Sequence, residues 1–159
     1  MEKEKSFVNA DNAAIENAVK NFRSLWCEKM PETAQIKNTE TLDFTDRKDV
    51  VLQLDTQFLI TDFVQVLKEE LGLHLLYTVK YEDGGAYKAV GYSTPSDAGM
   101  YVVVVTSSQR GLSDSLTVYF YDSVDCMYRH ICVEMDKLKD VPAEIVQQER
   151  LSDVMATFY

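Results

Sequence analysis

The hydrophobic and polar positions at the beginning of the chain repeat with a helical period. Over residues 11–30, apolar side chains recur three and four positions apart, and Trp26 lies on this stripe. Pro31 ends the segment, because the residue before a proline is pushed out of the helical conformation. The same period returns over residues 56–71, where Asp55 or Thr56 is the predicted cap, and Gly72 follows at the position where a glycine terminates a helix. Both segments are therefore predicted to be helices.

The period changes to two after residue 72. From there to residue 121, short runs rich in β-branched and aromatic residues are separated by polar turns, which is typical of strands. Asp83-Gly84 between two such runs indicates a hairpin, because both residues tolerate a positive φ. The run 100–105 is almost entirely apolar, as expected for a strand covered on both faces. We expect its second cover to be either the terminal helices or another subunit.

The predicted elements therefore mix helices and strands along one chain. They are, in order, a helix over 11–30, short strands over 34–37, 41–44 and 50–54, a helix over 56–71, strands over 73–81, 86–92, 100–106 and 116–121, and helices over 123–139 and 142–157. This order predicts an α+β fold, with an antiparallel sheet of four or more strands packed by N-terminal, middle and C-terminal helices. We expect a single domain over residues 1–159, with residues 1–10 flexible. The element order resembles, in outline, that of the roadblock-type and type III secretion chaperone folds, which are dimeric binding proteins.

Composition favours a self-sufficient protein of a reducing compartment. The chain has 159 residues, of which 46% are hydrophobic, so it can form one core without a disulfide or a metal. Its three cysteines do not suggest a secreted disulfide framework, and its polar N-terminus does not resemble a secretory signal. No apolar run is long enough to span a bilayer. We therefore expect a cytoplasmic protein without a cofactor and without membrane contact.

The net charge of −10 is distributed along the whole chain. Binding to a nucleic-acid backbone needs clustered lysine and arginine, so direct nucleic-acid binding is disfavoured. Spread negative charge keeps a protein soluble, and it also favours a basic protein as partner. Solubility is therefore the preferred interpretation of this charge, and a basic protein partner or mimicry of nucleic acid is the alternative.

Cys126, His130 and Cys132 form the best candidate for a chemical site. Cys126 and His130 are four residues apart on a predicted helix and share a face, but a tetrahedral zinc site would need a fourth ligand from elsewhere. The neighbouring residues are apolar, so a core helix is the preferred interpretation. The chain has no phosphate-binding loop and no nucleophile elbow. We predict no catalytic residue and no metal site; the alternative is a small-molecule pocket or an enzyme site near Cys126 and His130.

Tyrosine is concentrated in the predicted sheet, where seven of the nine tyrosines lie between residues 77 and 121. Along the strand 116–121, aliphatic residues and Phe120 face one way, while Tyr119 and Tyr121 face the other. Tyrosine suits a partly wet surface and is enriched at protein interfaces. The alternative is that tyrosine simply favours strands.

The function predicted from these observations is non-enzymatic protein binding, as in a chaperone, an adaptor, an inhibitor or an immunity-type protein. The expected contact surface is the tyrosine-rich face of the sheet. Its predicted binding residues are Tyr77, Tyr81, Tyr119, Tyr121 and the loop residue Arg110. The expected partner is another protein, of basic character, or a second copy of the chain in a homodimer.

Overall fold

The computed structural model contains one antiparallel sheet packed by helices. It describes residues 2–44, 47–81, 87–93, 101–107, 111–121, 123, 125–130 and 143–147. The elements are helix α1 (Glu2–Lys29), a short 3-10 helix (Glu32–Ala34), β1 (Ile36–Asp43), β2 (Arg47–Leu59), α2 (Ile60–Leu71), β3 (His74–Tyr81), β4 (Tyr87–Tyr92), β5 (Tyr101–Ser107), β6 (Leu112–Tyr121) and β7 (Ala143–Gln147). Residues 125–130 are also helical.

The strands form a seven-stranded sheet in the order β1-β2-β6-β5-β4-β3-β7, and each neighbouring pair is antiparallel. The α+β class and the antiparallel sheet are confirmed. Strands β3, β4, β5 and β6 are neighbours in chain order and form a meander. Within the described ranges, no helix is long and apolar enough to cross a membrane.

Helices α1 and α2 cover one side of the sheet, here called the first face. The apolar stripe of α1 is buried there, with Phe22 and Trp26 almost fully excluded from solvent. The ring of Phe22 meets Tyr101 edge-on at a centroid distance of 4.9 Å and Phe120 at 5.6 Å. The Trp26 indole N–H donates to the carbonyl of Ala34 at 2.8 Å, so the one polar atom of this buried ring is satisfied. The prediction that this stripe packs the first helix onto the domain is confirmed.

The region between the two helices differs from the prediction in three places. The two strands predicted over 34–37 and 41–44 are replaced by one strand, β1, from Ile36 to Asp43, because residues 38 and 39 pair with β2 instead of breaking the strand. Strand β2 continues to Leu59, where Leu59 pairs with Leu112. Helix α2 therefore begins at Ile60 and not at residue 56, and Leu59 replaces the predicted cap. The backbone hydrogen bonds of the long strand outweigh the capping preference of Thr56.

The end of α2 follows the prediction. Gly72 adopts a left-handed conformation with φ of 65°, and its N–H donates to the carbonyl of Leu67. A residue without a Cβ reaches this conformation at little cost, which is why glycine terminates helices so often.

Strand β5 runs through the centre of the sheet and is buried on both sides. Tyr101, Val103 and Val105 belong to the core under α1 and α2, which is on the first face. Val102 and Val104 belong to a second core on the opposite side, here called the second face. This second core includes Met127 and Tyr128 of the helical segment 125–130, so part of the chain's own C-terminal region supplies the cover that the sequence required.

The C-terminal part of the fold required a correction. The sequence predicted a helix over 142–157, but Ala143–Gln147 forms strand β7, paired with β3. The β-branched residues Ile145 and Val146 suit a strand, and the outer edge of β3 offers unpaired backbone groups. The predicted helix over 123–139 is confirmed at residues 125–130. Ser123 is not helical, and residues 124 and 131–139 lie outside the described residues.

Candidate protein-interaction surface

The second face carries tyrosines that the sequence predicted to bind a partner, and part of this face is buried in the second core. Tyr77, Tyr92 and Tyr121 are buried in the second core, with Tyr121 only 6% exposed. The alternation of sides along β6 is as predicted, but the helical segment 125–130 lies against this face. The ring of His130 contacts Tyr119 at a centroid distance of 4.8 Å and Tyr121 at 5.7 Å.

The predicted binding residues are therefore not equivalent. Tyr77 and Tyr121 are buried within the chain, whereas Tyr119 is half-buried. Tyr81 is the last residue of β3. Arg110 lies outside the described residues. The next residue, Gly111, is packed against the ring of Tyr87, which is the first residue of β4. Among the side chains that the structure describes, Tyr77 and Tyr121 are therefore part of the core, and Tyr119 is the one that reaches solvent.

Tyr119 instead belongs to a group of side chains at the β1–β2 hairpin. We call Leu42, Phe44, Arg47 and Tyr119 the hairpin patch. Leu42 is 45% exposed and Phe44 is 42% exposed, which is unusual for two large apolar side chains that lie two positions apart at the end of a strand. The amide N–H of Phe44 donates to the carbonyl of Arg47 at 3.0 Å, so the backbone holds these two residues together across the turn.

The register of three strands explains why the patch forms. Leu42 of β1 is opposite Asp49 of β2, and Asp49 is opposite Tyr119 of β6. Directly opposed residues of an antiparallel sheet lie on the same face. Arg47 is two positions from Asp49 on β2, so it shares this face as well.

Arg47 is the centre of the patch. Its guanidinium carbon lies 4.5 Å from the centroid of the Phe44 ring and 5.8 Å from that of Tyr119. Its Nε donates to Oδ1 of Asp49 at 2.8 Å, and Nη2 is 3.5 Å from Oδ2. The carboxylate of Asp49 is buried, so this ion pair fixes the guanidinium between two aromatic rings.

The residues of the alternative chemical site occupy the helical segment beside the patch. Ser123 accepts a hydrogen bond from the Cys126 N–H at 3.2 Å, which caps the segment, and Nη2 of Arg129 lies 3.1 Å from the Cys126 sulfur. Cys132 lies outside the described residues. No group of three or more His, Cys, Asp or Glu side chains in the described part could hold a metal ion. A pocket near Cys126 and His130 stays a prediction.

Sequence reasoning did not identify Leu42, Phe44 and Arg47. A signal was present, because Leu42 and Phe44 are the large apolar residues of the otherwise polar segment 37–48 and lie two positions apart. This spacing places both on one side of the strand. Their partner Arg47 could not be inferred without the hairpin register.

Comparisons with known proteins give no relative. No protein-family model, no curated protein and no solved structure matches this chain.

Proposed function

We propose that this chain is a non-enzymatic protein-binding protein, of the chaperone, adaptor, inhibitor or immunity type, and that the hairpin patch contacts its partner. The observation that supports this proposal is the exposure of Leu42 and Phe44, at 45% and 42%. Both precede the turn, and Arg47, which follows it, lies over the ring of Phe44. Isolated exposed apolar residues are ordinary, but a contiguous group is typical of an interaction site.

The residue types of the hairpin patch favour strong binding. Arginine and tyrosine are among the residues most often found at interface hot spots, and aromatic residues are enriched at interface centres. Arg47 is already held by Asp49 and by two rings, so little side-chain freedom would be lost on association. Tyr77 and Tyr121 would contribute indirectly, as members of the second core, against which Tyr119 packs.

The proposed partner is another protein whose apolar contact surface has a basic rim. Glu40 of β1 is exposed two positions before Leu42, and the chain as a whole carries a net charge of −10. Complementary charge around an apolar centre accelerates association and selects among partners. The free thiols of Cys27 and Cys126 are consistent with a reducing, cytoplasmic setting.

The proposal can be tested with two matched pairs of exposed apolar residues. Leu42 and Phe44 form the hairpin patch, while Leu59 and Leu112 are a directly opposed pair at the other end of β2 and β6, exposed to 46% and 40%. The double variant Leu42→Ser/Phe44→Ser should abolish capture of the partner from a cell extract and leave the circular dichroism spectrum unchanged. Leu59→Ser/Leu112→Ser should retain capture.

Light scattering on the same variants separates the two kinds of partner. A wild-type dimer that dissociates only in Leu42→Ser/Phe44→Ser identifies the partner as a second copy of this chain. Capture and oligomeric state that are the same in wild type and in both double variants would show that the hairpin patch is not a contact surface.

A further inference from the structure

Along the β1 edge of the first face, the described residues leave an open groove between α1 and β1. The groove has a volume of about 830 Å³. Lys20, Arg23 and Cys27 of α1 form its wall, Thr41 of β1 lies on its floor, and Lys48 of β2 lines it as well. It continues along β1 into a hollow of about 530 Å³, which shares Arg23, Cys27 and Thr41.

The groove is cationic in a strongly acidic chain. Its two parts are lined by four cations and two carboxylates, whereas the whole chain has 16 cationic and 26 acidic side chains. Lys48 is engaged, with its Nζ 3.3 Å from Glu16 and 3.2 Å from Asp43. The other three cations of the groove are exposed to solvent; they are Lys20, Arg23 and Lys37. This local excess of positive charge fits a carboxylate-bearing ligand.

The floor of the groove ends at the outer edge of β1. Among the strands that the structure describes, β1 has one neighbour, β2, so its other backbone edge faces outward. Most side chains of β1 are exposed, including Thr41, which faces the groove with little bulk. An exposed edge of this kind is a template for an added strand, in which backbone hydrogen bonds give affinity and alternate side chains give specificity.

We propose that this groove binds an extended acidic segment of a partner protein, which adds to β1 as a further antiparallel or parallel strand. Side chains alternate along a strand, so every second residue of the segment would face α1. Glutamate or aspartate at those positions would lie beside Lys20 and Arg23. The groove lies on the opposite face of the sheet from the hairpin patch, while the other side chains of an added strand would pass beside Leu42 of β1.

A synthetic peptide provides the probe. It has eight residues, the length of β1, and glutamate alternates with valine along it. Calorimetry with the full chain should show that this peptide binds about tenfold more tightly than the same peptide with glutamine in place of glutamate. The double variant Lys20→Glu/Arg23→Glu should lose that preference, whereas Lys68→Glu, an exposed cation of α2, should keep it.

Two N-methylated versions of the peptide test strand addition itself. Only alternate amides of an added strand point toward β1. Methylation of the amides at one set of alternate positions should abolish binding, while methylation at the other set should leave it intact. Bound peptide should also slow the alkylation of Cys27, measured by mass spectrometry, because this exposed thiol lines the groove.

Three results would overturn the proposal. Absence of binding by the acidic peptide at millimolar concentration would remove the site, and equal affinity for the glutamine peptide would remove the charge argument. Equal binding of both N-methylated peptides would exclude strand addition. The variant Tyr119→Ala changes the hairpin patch on β6, two strands away from β1, and should bind the acidic peptide as the wild type does, so a failure here is distinct from a failure of the hairpin patch.

Discussion

Strands β5 and β1 belong to the same sheet, but they differ in how far their side chains are exposed to solvent. All described positions of β5 are buried except Thr106, whereas β1 is exposed or half-buried along its length. β5 consists mainly of valine and lies between β4 and β6, while β1 is rich in threonine and charged residues and lies at the edge. Hydrophobic burial therefore holds the centre of the sheet, and the edge retains the backbone and side-chain groups that a partner could use.

This difference predicts that stability and binding reside in separate parts of the molecule. Around β5, Phe22 contacts Tyr101 and Phe120, and Trp26 contacts Phe63 at a centroid distance of 5.7 Å. Around β1, the described contacts include ion pairs and exposed apolar side chains. Substitutions near β5 should unfold the protein, whereas those near β1 should leave it folded and alter association.

The largest expected effect is that of Trp26→Ala. Removing this fully buried ring should lower the free energy of unfolding by roughly 3–5 kcal/mol, because a large cavity opens next to Phe22 and Phe63. The measurement is urea denaturation followed by circular dichroism. Ser24→Ala, at an exposed position of the same helix, should change stability by less than about 0.5 kcal/mol. A loss below about 1 kcal/mol for Trp26→Ala would mean that α1 does not stabilise the sheet.

The next effect distinguishes two neighbouring tyrosines of β6. Tyr121→Ala should cost about 3 kcal/mol because its ring belongs to the second core, while Tyr119→Ala should cost about 1 kcal/mol because its ring is half-buried. Chemical denaturation of both variants checks the difference. If both rings were simply surface residues, the two losses would be small and equal.

These two tyrosines also show how far the sequence could predict the fold. Period-two alternation correctly assigned Tyr119 and Tyr121 to one face, and the nearly unbroken run of valines correctly predicted a strand covered on both sides. Alternation states only which residues share a face. It does not state what covers that face, and here the cover includes Met127 and Tyr128, which are distant in the sequence from β3 and β4.

The wrong predictions have a similar origin. Residues 143–147 have a composition compatible with a helix, but the free edge of β3 draws them into a strand. The start of α2 was misplaced because Thr56 is a good helix cap, and its hydroxyl instead donates to the carbonyl of Thr33 at 2.7 Å. The hairpin patch was missed because its centre, Arg47, depends on a register between three strands. Local propensity cannot supply such long-range information.

A smaller effect concerns the titration of Tyr101 on β5. Burial raises the pKa of Tyr101 from 10.0 to about 12, opposed by a hydrogen bond with the Ser93 side chain. The folded state therefore holds this proton more tightly than the unfolded state does. The resulting stabilisation is complete below pH 10 and is lost as the pH rises toward 12. A shift of this size corresponds to a loss of about 2–3 kcal/mol across that window.

The variant Tyr101→Phe isolates this contribution. Its stability relative to wild type should increase between pH 10 and pH 12, because phenylalanine has no proton to lose. Denaturation curves at a series of alkaline pH values provide the comparison, and the other tyrosines and the lysines cancel in the difference. A difference that stays constant over this range would mean that the Tyr101 hydroxyl ionises equally well in both states.

The smallest expected effect is at the edge, where Lys48 connects α1 to the β1–β2 hairpin. Its Nζ lies 3.3 Å from Glu16 and 3.2 Å from Asp43, and both carboxylates are well exposed to solvent. Exposed ion pairs contribute little, so Lys48→Met, which retains most of the aliphatic stem, should cost about 0.5–1 kcal/mol at low salt. Lys37→Met, at an exposed position of β1, should cost less.

Salt separates the charge of Lys48 from its packing. At 1 M salt the screening length falls to about 3 Å, so the cost of Lys48→Met should largely disappear if it comes from the two carboxylates. Denaturation at low and high salt measures this change. A cost that is independent of salt would show that the buried stem of Lys48, and not its charge, connects the hairpin to α1. In that case burial would stabilise the edge as it does the centre, and the contrast between β1 and β5 would be one of degree.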